Sequence, residues 1–449
     1  MSDSDPNGVA LKPWLARQAY SLLLRLGTPA YLWRVWARGR EEPAYRADWP
    51  WLLGWYGRAY REAVRRAPGR PVLWLHAVSL GEARAAAPLV QALRAQRPGM
   101  RLLLTHTTAT GREAGRALLQ EGDLQTWLPY DTPGAVRRFL RLHRPQVGVL
   151  METEVWPNLQ HEARCAGVPM VLANARLSEK SLRQGLRVGA LMRPAAQAMS
   201  LCLAQTPEDA ERLMHMGAPR VRVAGNVKFD MTPAAPLLTL GHAWQAASAR
   251  PLVLAASTRE GEEPGLLAAW QAACASLPSD EHRPRLWIVP RHPQRFDEVA
   301  TLVRGAGWSL SRRSAWSQGM PDAAAQSADV WLGDSMGEMP AYYAAARVAL
   351  LGGSFAPLGG QNLIEAAACG CPVVMGPSTF NFAEAAALSE QAGAALRVAD
   401  WAEGVAQALR VCEPAVQGPM SARALGFAQA HRGAAQAMAE AIWAAASAD

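Results

Sequence analysis

From residue 71 onward the chain alternates between short apolar runs and amphipathic segments, and this alternation restricts the fold more than any other feature. The apolar runs lack the period-two pattern of a strand with one solvent-exposed face. They therefore predict strands that are covered on both faces, as in a parallel sheet. In the first half, the predicted strands are Val72–Val78, Leu102–Thr107, Val147–Thr153, Met170–Ala175, Leu201–Gln205 and Val221–Gly225.

The alternation is interrupted once, at Met231–Arg250, which contains prolines and alanines but no clear apolar run and is predicted to be a linker. Two successive βα arrays predict an α/β protein with two doubly wound domains facing each other across a cleft. Ligands of such sheets bind outside the carboxyl ends of the strands. In the second half, the predicted strands are Leu252–Ser257, Leu286–Val289, Val330–Gly333, Val348–Gly352 and Pro372–Met375.

The first 70 residues differ in composition from the rest. They hold 12 basic and 6 acidic residues, hence +6 of the formal charge of +8, and six of the 17 tryptophans. Arginine and tryptophan beside leucine runs are typical of a segment in a membrane interface. The run from Gln18 to Trp33 contains Arg25, Gly27 and Pro29, and falls short of the roughly 20 apolar residues of a spanning helix. We expect a monotopic anchor without a cleavable signal peptide; the alternative is a buried first helix with solvated arginines.

Composition excludes several other classes of protein. Half of the residues are hydrophobic, which rules out a disordered chain. The six cysteines include no CxxC pair, so we expect reduced, buried thiols and no metal centre. Beyond residue 70 the chain is nearly neutral, which argues against a nucleic-acid partner.

Carboxylates follow two predicted strands of the first half. Glu82 lies at a strand-to-helix turn, where the helix N-terminus normally lowers the pKa of a carboxyl group. We therefore expect an ionised base that accepts a proton from a hydroxyl, or else a residue that only complements the helix dipole. Glu152 and Glu154 close an apolar strand, where charged residues seldom serve packing. They could hold a substrate cation, stabilise charge or orient the hydroxyl, or cap the helix that opens at Pro157.

Lys228 is one of only three lysines beside 43 arginines. It follows a predicted strand end next to the linker, so it is either a cation in the cleft or a surface lysine at a hinge.

Glycine- or arginine-bearing loops follow four predicted strands of the second half. Gly352-Gly353 ends one strand and a second Gly-Gly pair opens a helix, which suits a phosphate, and Glu365 could reach a ribose. Arg291 can bind phosphate as a fork, and His292 could donate a hydrogen bond. The pattern is neither a Walker A nor a GxGxxG loop, which disfavours ATP and NAD. These loops predict a nucleotide site, with a lipid-borne hydroxyl acceptor in the first half.

The motifs, in this order, resemble those of the 3-deoxy-D-manno-octulosonic acid (Kdo) transferases of Gram-negative bacteria, glycosyltransferase family 30. The resemblance covers nearly the whole chain. The segments that carry it are Ser79–Glu82, Thr107–Gly111, Leu128–Asp131, Met151–Asn158, Ala173–Ser181, Gly225–Asp230, Ala255–Thr258, Pro290–Pro293, Gly333–Glu338, Gly352–Ser354 and Thr379–Phe382.

The resemblance implies a GT-B fold with an N-terminal membrane-associated helix. It implies an inverting transferase that moves Kdo from CMP-Kdo to a lipid A precursor, lipid IVA, in lipopolysaccharide core biosynthesis at the cytoplasmic face of the inner membrane. No metal or cofactor is expected. The expected regions are an anchor at 1–50, an acceptor-binding domain at 51–230, a linker at 231–250, a CMP-sugar-binding domain at 251–430 and a C-terminal helix at 431–449.

The resemblance also assigns residues. It implies that Glu82 is the proton acceptor and that Glu152 and Lys228 stabilise the transition state. The CMP contacts that it implies are Arg291, His292, Met336, Gly337, Glu338, Asn362, Leu363, Ile364 and Glu365.

The chain departs from the family pattern at three places. Gln361 stands where the family usually has histidine, so a protonated imidazole at the phosphate is lost while an amide donor remains. Leu363-Ile364 replaces the usual Pro-Leu, and Arg259 replaces a frequent histidine. These departures affect donor contacts, not the reaction class.

Two other kinds of function stay open on the sequence. A nucleotide-sugar epimerase or another nucleotide-sugar transferase could use the same two-domain fold, although an epimerase needs no membrane segment. A non-enzymatic lipopolysaccharide-assembly or RNA-binding module is disfavoured by the neutral body and the convergent strand-end loops.

Overall fold

A computed structural model describes residues 6–66, 69–277 and 283–447. The chain divides into two compact units. Met1–Asp230 and Gly433–Asp449 form the first unit, and Met231–Arg432 forms the second. Each unit contains one seven-stranded sheet in which every strand pair is parallel.

The sheet of the first unit has the order β3-β2-β1-β4-β5-β6-β7. Its winding direction reverses between β1 and β4, which is where ligands bind in doubly wound sheets. The strands are β1 Val72–His76, β2 Arg101–His106, β3 Leu124–Trp127, β4 Val147–Met151, β5 Met170–Ala175, β6 Leu201–Ala204 and β7 Val221–Val223.

Helices cover both faces of this sheet, because its strands are buried on both sides. The helices are α1 Pro6–Arg38, α2 Ala44–Ala47, α3 Arg58–Arg65, α4 Leu80–Gln96, α5 Ala109–Gly115, α6 Pro133–His143, α7 Pro157–Cys165, α8 Glu179–Arg187, α9 Gly189–Gln197 and α10 Pro207–Met216. Short 3₁₀ helices occur at Trp49–Leu53, Arg116–Leu118 and Val227–Asp230.

The sheet of the second unit has the order β10-β11-β9-β8-β12-β13-β14, and its winding reverses between β8 and β12. The strands are β8 Leu252–Thr258, β9 Arg285–Pro290, β10 Leu310–Arg312, β11 Val330–Leu332, β12 Val348–Leu351, β13 Val373–Met375 and β14 Ala395–Arg397. The helices are α11 Ala235–Ala247, α12 Glu262–Ala275, α13 Phe296–Gly305, α14 Ala323–Ser327, α15 Met339–Ala345, α16 Leu363–Ala368, α17 Ala383–Gln391, α18 Trp401–Val411 and α19 Pro414–Ala430. Its 3₁₀ helices are Pro293–Arg295, Arg313–Ala315, Ser317–Gly319 and Phe380–Phe382.

The last helix, α20 Ala434–Ser447, belongs to the first unit. The Asp230 carboxylate accepts hydrogen bonds from the backbone N–H groups of Gly433 (2.6 Å) and Ala435 (2.7 Å), which fixes the start of the helix. Met438 and Ile442 are fully buried in the core of this unit. The C-terminal segment is therefore an integral part of the first unit.

The segment 231–250, expected to be a linker, contains the helix α11. Its Trp244 is fully buried and packs on Trp287 and Tyr342, with ring centroids 5.3 Å and 5.5 Å away. The prolines and alanines of the segment favoured a linker, but Pro236 lies in the first turn of the helix, where proline is tolerated.

The N-terminal helix α1 turns an apolar surface outward. Leu23, Leu26 and Trp33 are 68%, 71% and 71% exposed. The opposite side is held by polar contacts: Tyr20 donates to the Asp131 carboxylate (3.0 Å), and Ser21 donates to Asn158 (3.0 Å). Within residues 6–66, 69–277 and 283–447, no helix combines the length and the apolar character needed to cross a bilayer.

Candidate active site

The three candidate catalytic residues of the first unit all follow strands of its sheet, two after the neighbouring strands β1 and β4 and one after the edge strand β7. Glu82 lies in the first turn of α4, after β1, and Glu152 follows β4 directly. Since β1 and β4 flank the reversal of winding, both carboxylates lie at the switch point of the sheet. Lys228 lies in the 3₁₀ helix after β7 and reaches Glu152.

Glu82 is tied into the start of its own helix. Ser79 is the N-cap and accepts from the Glu82 N–H (3.3 Å), while its hydroxyl donates to Glu82 Oε1 (3.2 Å). The backbone N–H of Val78 donates to Glu82 Oε2 (2.8 Å). This reciprocal arrangement is a variant of the capping box, so Glu82 does cap the helix. The same bonds also hold its carboxylate in a fixed orientation.

The expected low pKa of Glu82 is wrong. Burial, together with the nearby carboxylates of Glu152 and Glu154, raises the pKa of Glu82 to about 7. The hydrogen bonds from Val78 and Ser79 act in the opposite direction but do not outweigh burial. A carboxylate with a pKa near the working pH is well suited to general-base catalysis, because it is both available and basic.

Glu152 and Lys228 form an ion pair, with Nζ 2.9 Å from Oε1. Glu152 has a positive φ of 61°, which is strained for a residue with a side chain. Two backbone bonds hold this conformation: the Glu152 N–H donates to Ala173 (3.0 Å), and the Arg176 N–H donates to the Glu152 carbonyl (3.2 Å). Such a non-glycine outlier at a strand end is consistent with a functional role for Glu152.

A buried amide network places Lys228. The fully buried Asn174 accepts from the Val227 N–H (3.1 Å), and Asn226 accepts from the Lys228 N–H (3.0 Å). Asn226 in turn donates to Gln205 (3.0 Å). Sequence reasoning assigned no role to these amides, although Asn174 and Asn226 lie in segments that carry the family resemblance.

Glu154 lies in the same loop and faces a buried histidine. Its Oε2 accepts from Trp156 Nε1 (2.6 Å) and is 3.9 Å from His76 Nε2. His76 donates through Nδ1 to the Thr105 carbonyl (3.0 Å), so in this tautomer Nε2 is an acceptor; it has no hydrogen-bond partner among the described residues. Burial lowers the pKa of His76 to about 3, and burial raises the pKa of Glu154.

In the second unit, the loop after β12 is shaped by a buried carboxylate. Glu262 accepts from the N–H groups of Gly353 (2.7 Å), Arg259 (2.8 Å) and Phe355 (3.3 Å). Gly353 has a φ of +69°, and a Cβ on Gly352 would meet the Ser257 carbonyl, so both positions require glycine. Glu262 was not predicted to have this role.

The loop after β9 carries Arg291 and His292, and both are exposed. The Arg291 N–H donates to the Thr258 carbonyl (2.9 Å), which joins this loop to the end of β8. Burial, followed by the neighbouring Arg259 and Arg291, lowers the pKa of His292. The lowered pKa favours a neutral His292, so the positive charge of this loop comes from Arg291.

The segment Asn362–Glu365 opens α16. Asn362 is the N-cap and accepts from the Ile364 N–H (3.1 Å). The side chains of Leu363 and Ile364 are buried in the core, so any contact of these two residues with a ligand is made by their backbone. Glu365 lies in the first turn of this helix.

The segment Met336–Glu338 follows β11. Gly337 has a φ of +83°, and Met336 is 61% exposed. Glu338 is paired with Arg313 (2.8 Å) and accepts from the Ser335 hydroxyl. In this structure the Glu338 carboxylate therefore serves to hold its own loop.

Two of the departures from the family pattern lie side by side. A Cβ on Gly353 would be 3.1 Å from Gln361 Nε2 and 3.6 Å from Arg259 Cγ, so both side chains flank the same glycine. The aliphatic part of the Arg259 side chain thus lies beside the same glycine as the neutral amide of Gln361.

In the part of the chain that the structure describes, no group of three or more His, Cys, Asp or Glu side chains is arranged to hold a metal ion. The cysteines are free; Cys165 is exposed, contrary to the expectation of burial, and Cys369 is partly exposed.

Comparison with known proteins decides the family. A family model described as 3-deoxy-D-manno-octulosonic-acid transferase (kdotransferase) matches residues 49–231. The 3-deoxy-D-manno-octulosonic acid transferase of Bordetella pertussis is 49% identical over 94% of this chain and 97% of its own. The chain belongs to the Kdo transferase family. The Haemophilus influenzae member is 34% identical over 81% of this chain and 83% of its own.

Membership in the Kdo transferase family makes the chain a glycosyltransferase. Among solved structures, UDP-GlcNAc 2-epimerase from Neisseria meningitidis, bound to UDP-GlcNAc, superposes with a TM-score of 0.54 over 84% of this chain and 99% of that one, at 15% identity. At this identity the likeness concerns the fold alone, and with the two parallel sheets it confirms the expected GT-B class.

Proposed function

We propose that this Kdo transferase takes its sugar from CMP-Kdo and transfers it to a hydroxyl group of a lipid A precursor, with Glu82 as the general base. The observation that carries this proposal is the oriented Glu82 carboxylate at the switch point of its sheet, with a pKa of about 7. A group with that pKa is partly ionised at neutral pH and can take a hydroxyl proton.

The reaction is a direct displacement. Glu82 takes the proton of the acceptor hydroxyl while the hydroxyl oxygen bonds to the anomeric carbon of Kdo. The bond from that carbon to the phosphate oxygen of CMP breaks, and CMP leaves with the bonding electrons as a phosphate monoester. Because the oxygen attacks from the face opposite the leaving group, we expect inversion at the anomeric carbon.

The Lys228–Glu152 pair supplies charge to this step. The Lys228 ammonium, 2.9 Å from Glu152, can neutralise the Kdo carboxylate or the charge that develops during transfer. Glu152 fixes the ammonium group and limits the net charge beside Glu82.

The second unit binds the donor in this proposal. Arg291 and His292 supply a cation and a donor for the phosphate. The glycine turns at 352–353 and 359–360 let the backbone approach the donor closely. The N–H groups of these four glycines already donate within the protein. The other CMP contacts that the family resemblance implies are made by Met336, Gly337, Glu338 and the segment Asn362–Glu365. No step requires a metal in principle, since the leaving group carries one phosphate.

The helix α1 is proposed to lie on the cytoplasmic face of the inner membrane. Its exposed leucines and tryptophans, with arginines between them, are typical of a helix in the interface. This arrangement would bring the enzyme to a lipid acceptor.

The test is incubation of the full chain with a CMP-Kdo-generating system and lipid IVA, followed by mass analysis of the lipid. The expected result is a gain of one or more Kdo units in the lipid. Intact lipid beside unreacted CMP-Kdo would overturn the proposal. A change in the nucleotide sugar without any lipid product would favour the epimerase instead.

A further inference from the structure

An arginine-lined cavity lies in the first unit between α1 and the start of α6. Its volume is 560 Å³. Arg25 and Thr28 of α1 line one side, and Thr132, Gly134, Arg137 and Arg138 line the other. Its lining thus contains three arginines and no acidic residue.

The three guanidinium groups are held differently. Arg138 donates through Nε and Nη2 to the Leu53 carbonyl (2.9 and 2.6 Å), and it lies over the ring of Trp55. Arg137 is half exposed, with Nε 3.8 Å from the Glu162 carboxylate. Arg25 is exposed and makes no hydrogen bond or ion pair with any residue that the structure describes. Of the three arginines, only Arg137 has a carboxylate nearby, so the cavity keeps a net positive charge.

The surroundings of Arg25 on α1 are apolar. Leu22 and Leu26, which are 56% and 71% exposed, lie on the same outward surface of the helix. If this surface rests on a bilayer, the Arg25 guanidinium must find an anionic partner there, because a charge placed against apolar groups without one is costly. The long arginine side chain can carry its charged end to the headgroup layer.

We propose that this cavity binds the phosphate group of a membrane lipid and thereby sets the position of α1 on the bilayer. The inference rests on the proposed membrane association of α1. Arginine suits a phosphate because its fork of N–H donors matches the phosphate oxygens. Gly134 leaves room for the ligand beside Arg138, since a Cβ there would be only 3.3 Å from Arg138 Nη1.

The experiment is sedimentation of the full chain with vesicles of phosphatidylcholine alone or with added phosphatidic acid. The test variant is Arg25→Gln with Arg137→Gln. The control is Arg34→Gln with Arg40→Gln, which removes the same charge from exposed positions of the N-terminal segment outside the cavity. We expect the test variant to lose about tenfold or more of the affinity gained from phosphatidic acid, and the control no more than about threefold. Equal losses in the two variants would overturn the inference.

A second variant separates a bound phosphate from general attraction. Gly134→Ala keeps every charge but narrows the cavity beside Arg138. We expect it to weaken binding to phosphatidic acid vesicles while binding to phosphatidylcholine stays unchanged. Unchanged binding to both vesicles would mean that the cavity holds no phosphate.

Two further measurements identify the source of the phosphate. In detergent without vesicles, the Arg25/Arg137 variant is assayed for KM with lipid IVA and with its dephosphorylated form. If KM rises only for the phosphorylated acceptor, the phosphate belongs to the acceptor lipid. If KM is unchanged while the variant binds vesicles more weakly, the phosphate belongs to the bulk membrane. Vesicle binding is also measured with inorganic phosphate at millimolar concentration as the competitor. If inorganic phosphate reduced binding as much as free lipid does, a lipid ligand would be contradicted.

The vesicle assay needs no catalysis. An inactive protein that still shows the arginine-dependent binding would therefore contradict the proposed transfer reaction alone. An active protein whose vesicle binding is indifferent to these arginines would contradict only the phosphate site.

Discussion

The two units share one sheet architecture but present different chemistry at the point where the winding of the sheet reverses. In the first unit, charged side chains stand there: Glu82 after β1, and Glu152 and Glu154 after β4. In the second unit, the loop after β12 presents backbone in glycine turns, such as Gly353 with a φ of +69°. The first surface is suited to proton transfer, and the second to close contact between a ligand and the backbone.

This difference determines which substitutions should matter. Where a charged side chain takes part in the reaction, a substitution that removes its charge but keeps its size should abolish turnover without altering the fold. Where backbone shape does the binding, the addition of a single methyl group should act through sterics. The predictions below test this contrast in order of expected effect.

Removal of the base should have the largest effect. Glu82→Gln keeps the size of the side chain but cannot accept a proton, so we expect kcat to fall by roughly 10²–10⁴. Rates are measured with saturating donor and acceptor. Near-normal turnover would show that Glu82 only caps its helix.

The same variant should be more stable than the wild type at alkaline pH. The pKa of Glu82, about 7 in the folded state, lies above its usual value of 4.5. The folded state therefore binds more protons in this window, and wild-type stability falls as pH rises from about 4.5 to 7. Glu82→Gln lacks this loss, so its Tm should exceed that of the wild type at pH 8 and approach it at pH 4.5. A lower Tm at pH 8 would indicate that lost capping bonds dominate.

Replacement of the cation should have the next largest effect. Lys228→Met removes the ammonium and leaves Glu152 unpaired beside Glu82. We expect kcat to fall by about 10²–10³, the usual cost of removing one stabilising group from a transition state. Lys180→Met is the matched control on an exposed lysine. If both variants were equally active, the pair would be structural.

Most of the fold could be predicted from the sequence, and the strands that were missed share a cause. Every interior strand was predicted, because burial on both faces leaves an apolar run. The strands that were not predicted, β3, β10 and β14, are edge strands: β3 lies at one edge of the first sheet, and β10 and β14 at the two edges of the second. Their sequences, such as Leu-Ser-Arg in β10, are short and partly polar, because an edge strand is only partly covered.

The candidate site was predictable by residue type but not in its electrostatics. Glu82 was placed at a helix start, where the local rule lowers a pKa. The opposite shift comes from burial and from Glu152 and Glu154, which are distant in sequence. Local sequence likewise could not reveal that Glu262 shapes the glycine loop, because the two are 91 residues apart.

A methyl group in the glycine loop should weaken donor binding. Gly352→Ala would place a Cβ against the Ser257 carbonyl, which is backbone and cannot move aside easily. Overpacking of this kind costs about 1–3 kcal/mol. We expect KM for CMP-Kdo to rise by roughly 10–100-fold while kcat changes less, and the control Gly305→Ala, in open space on α13, should bind the donor normally. An unchanged KM would show that this loop does not hold the donor.

The rate should depend on pH through Glu82. Since the base acts only when ionised, kcat/KM should fall about tenfold for each pH unit below 7, and Glu82→Gln should remove this limb from the residual rate. A limb near pH 4.5 would mean that burial does not raise the pKa of the base.

The smallest effect is expected at Glu154, and it tests whether the carboxylates of the first unit act as one electrostatic group. Glu154→Gln removes a charge that raises the pKa of Glu82 but keeps an acceptor for Trp156. The rate at high pH should change by less than about threefold, while the acidic limb moves to lower pH. Glu113→Gln, on an exposed face of α5, should leave the limb in place. A large loss of rate in Glu154→Gln would instead show that Glu154 takes part in the reaction. An acidic limb at unchanged pH would show that the charge of Glu154 does not affect the pKa of Glu82.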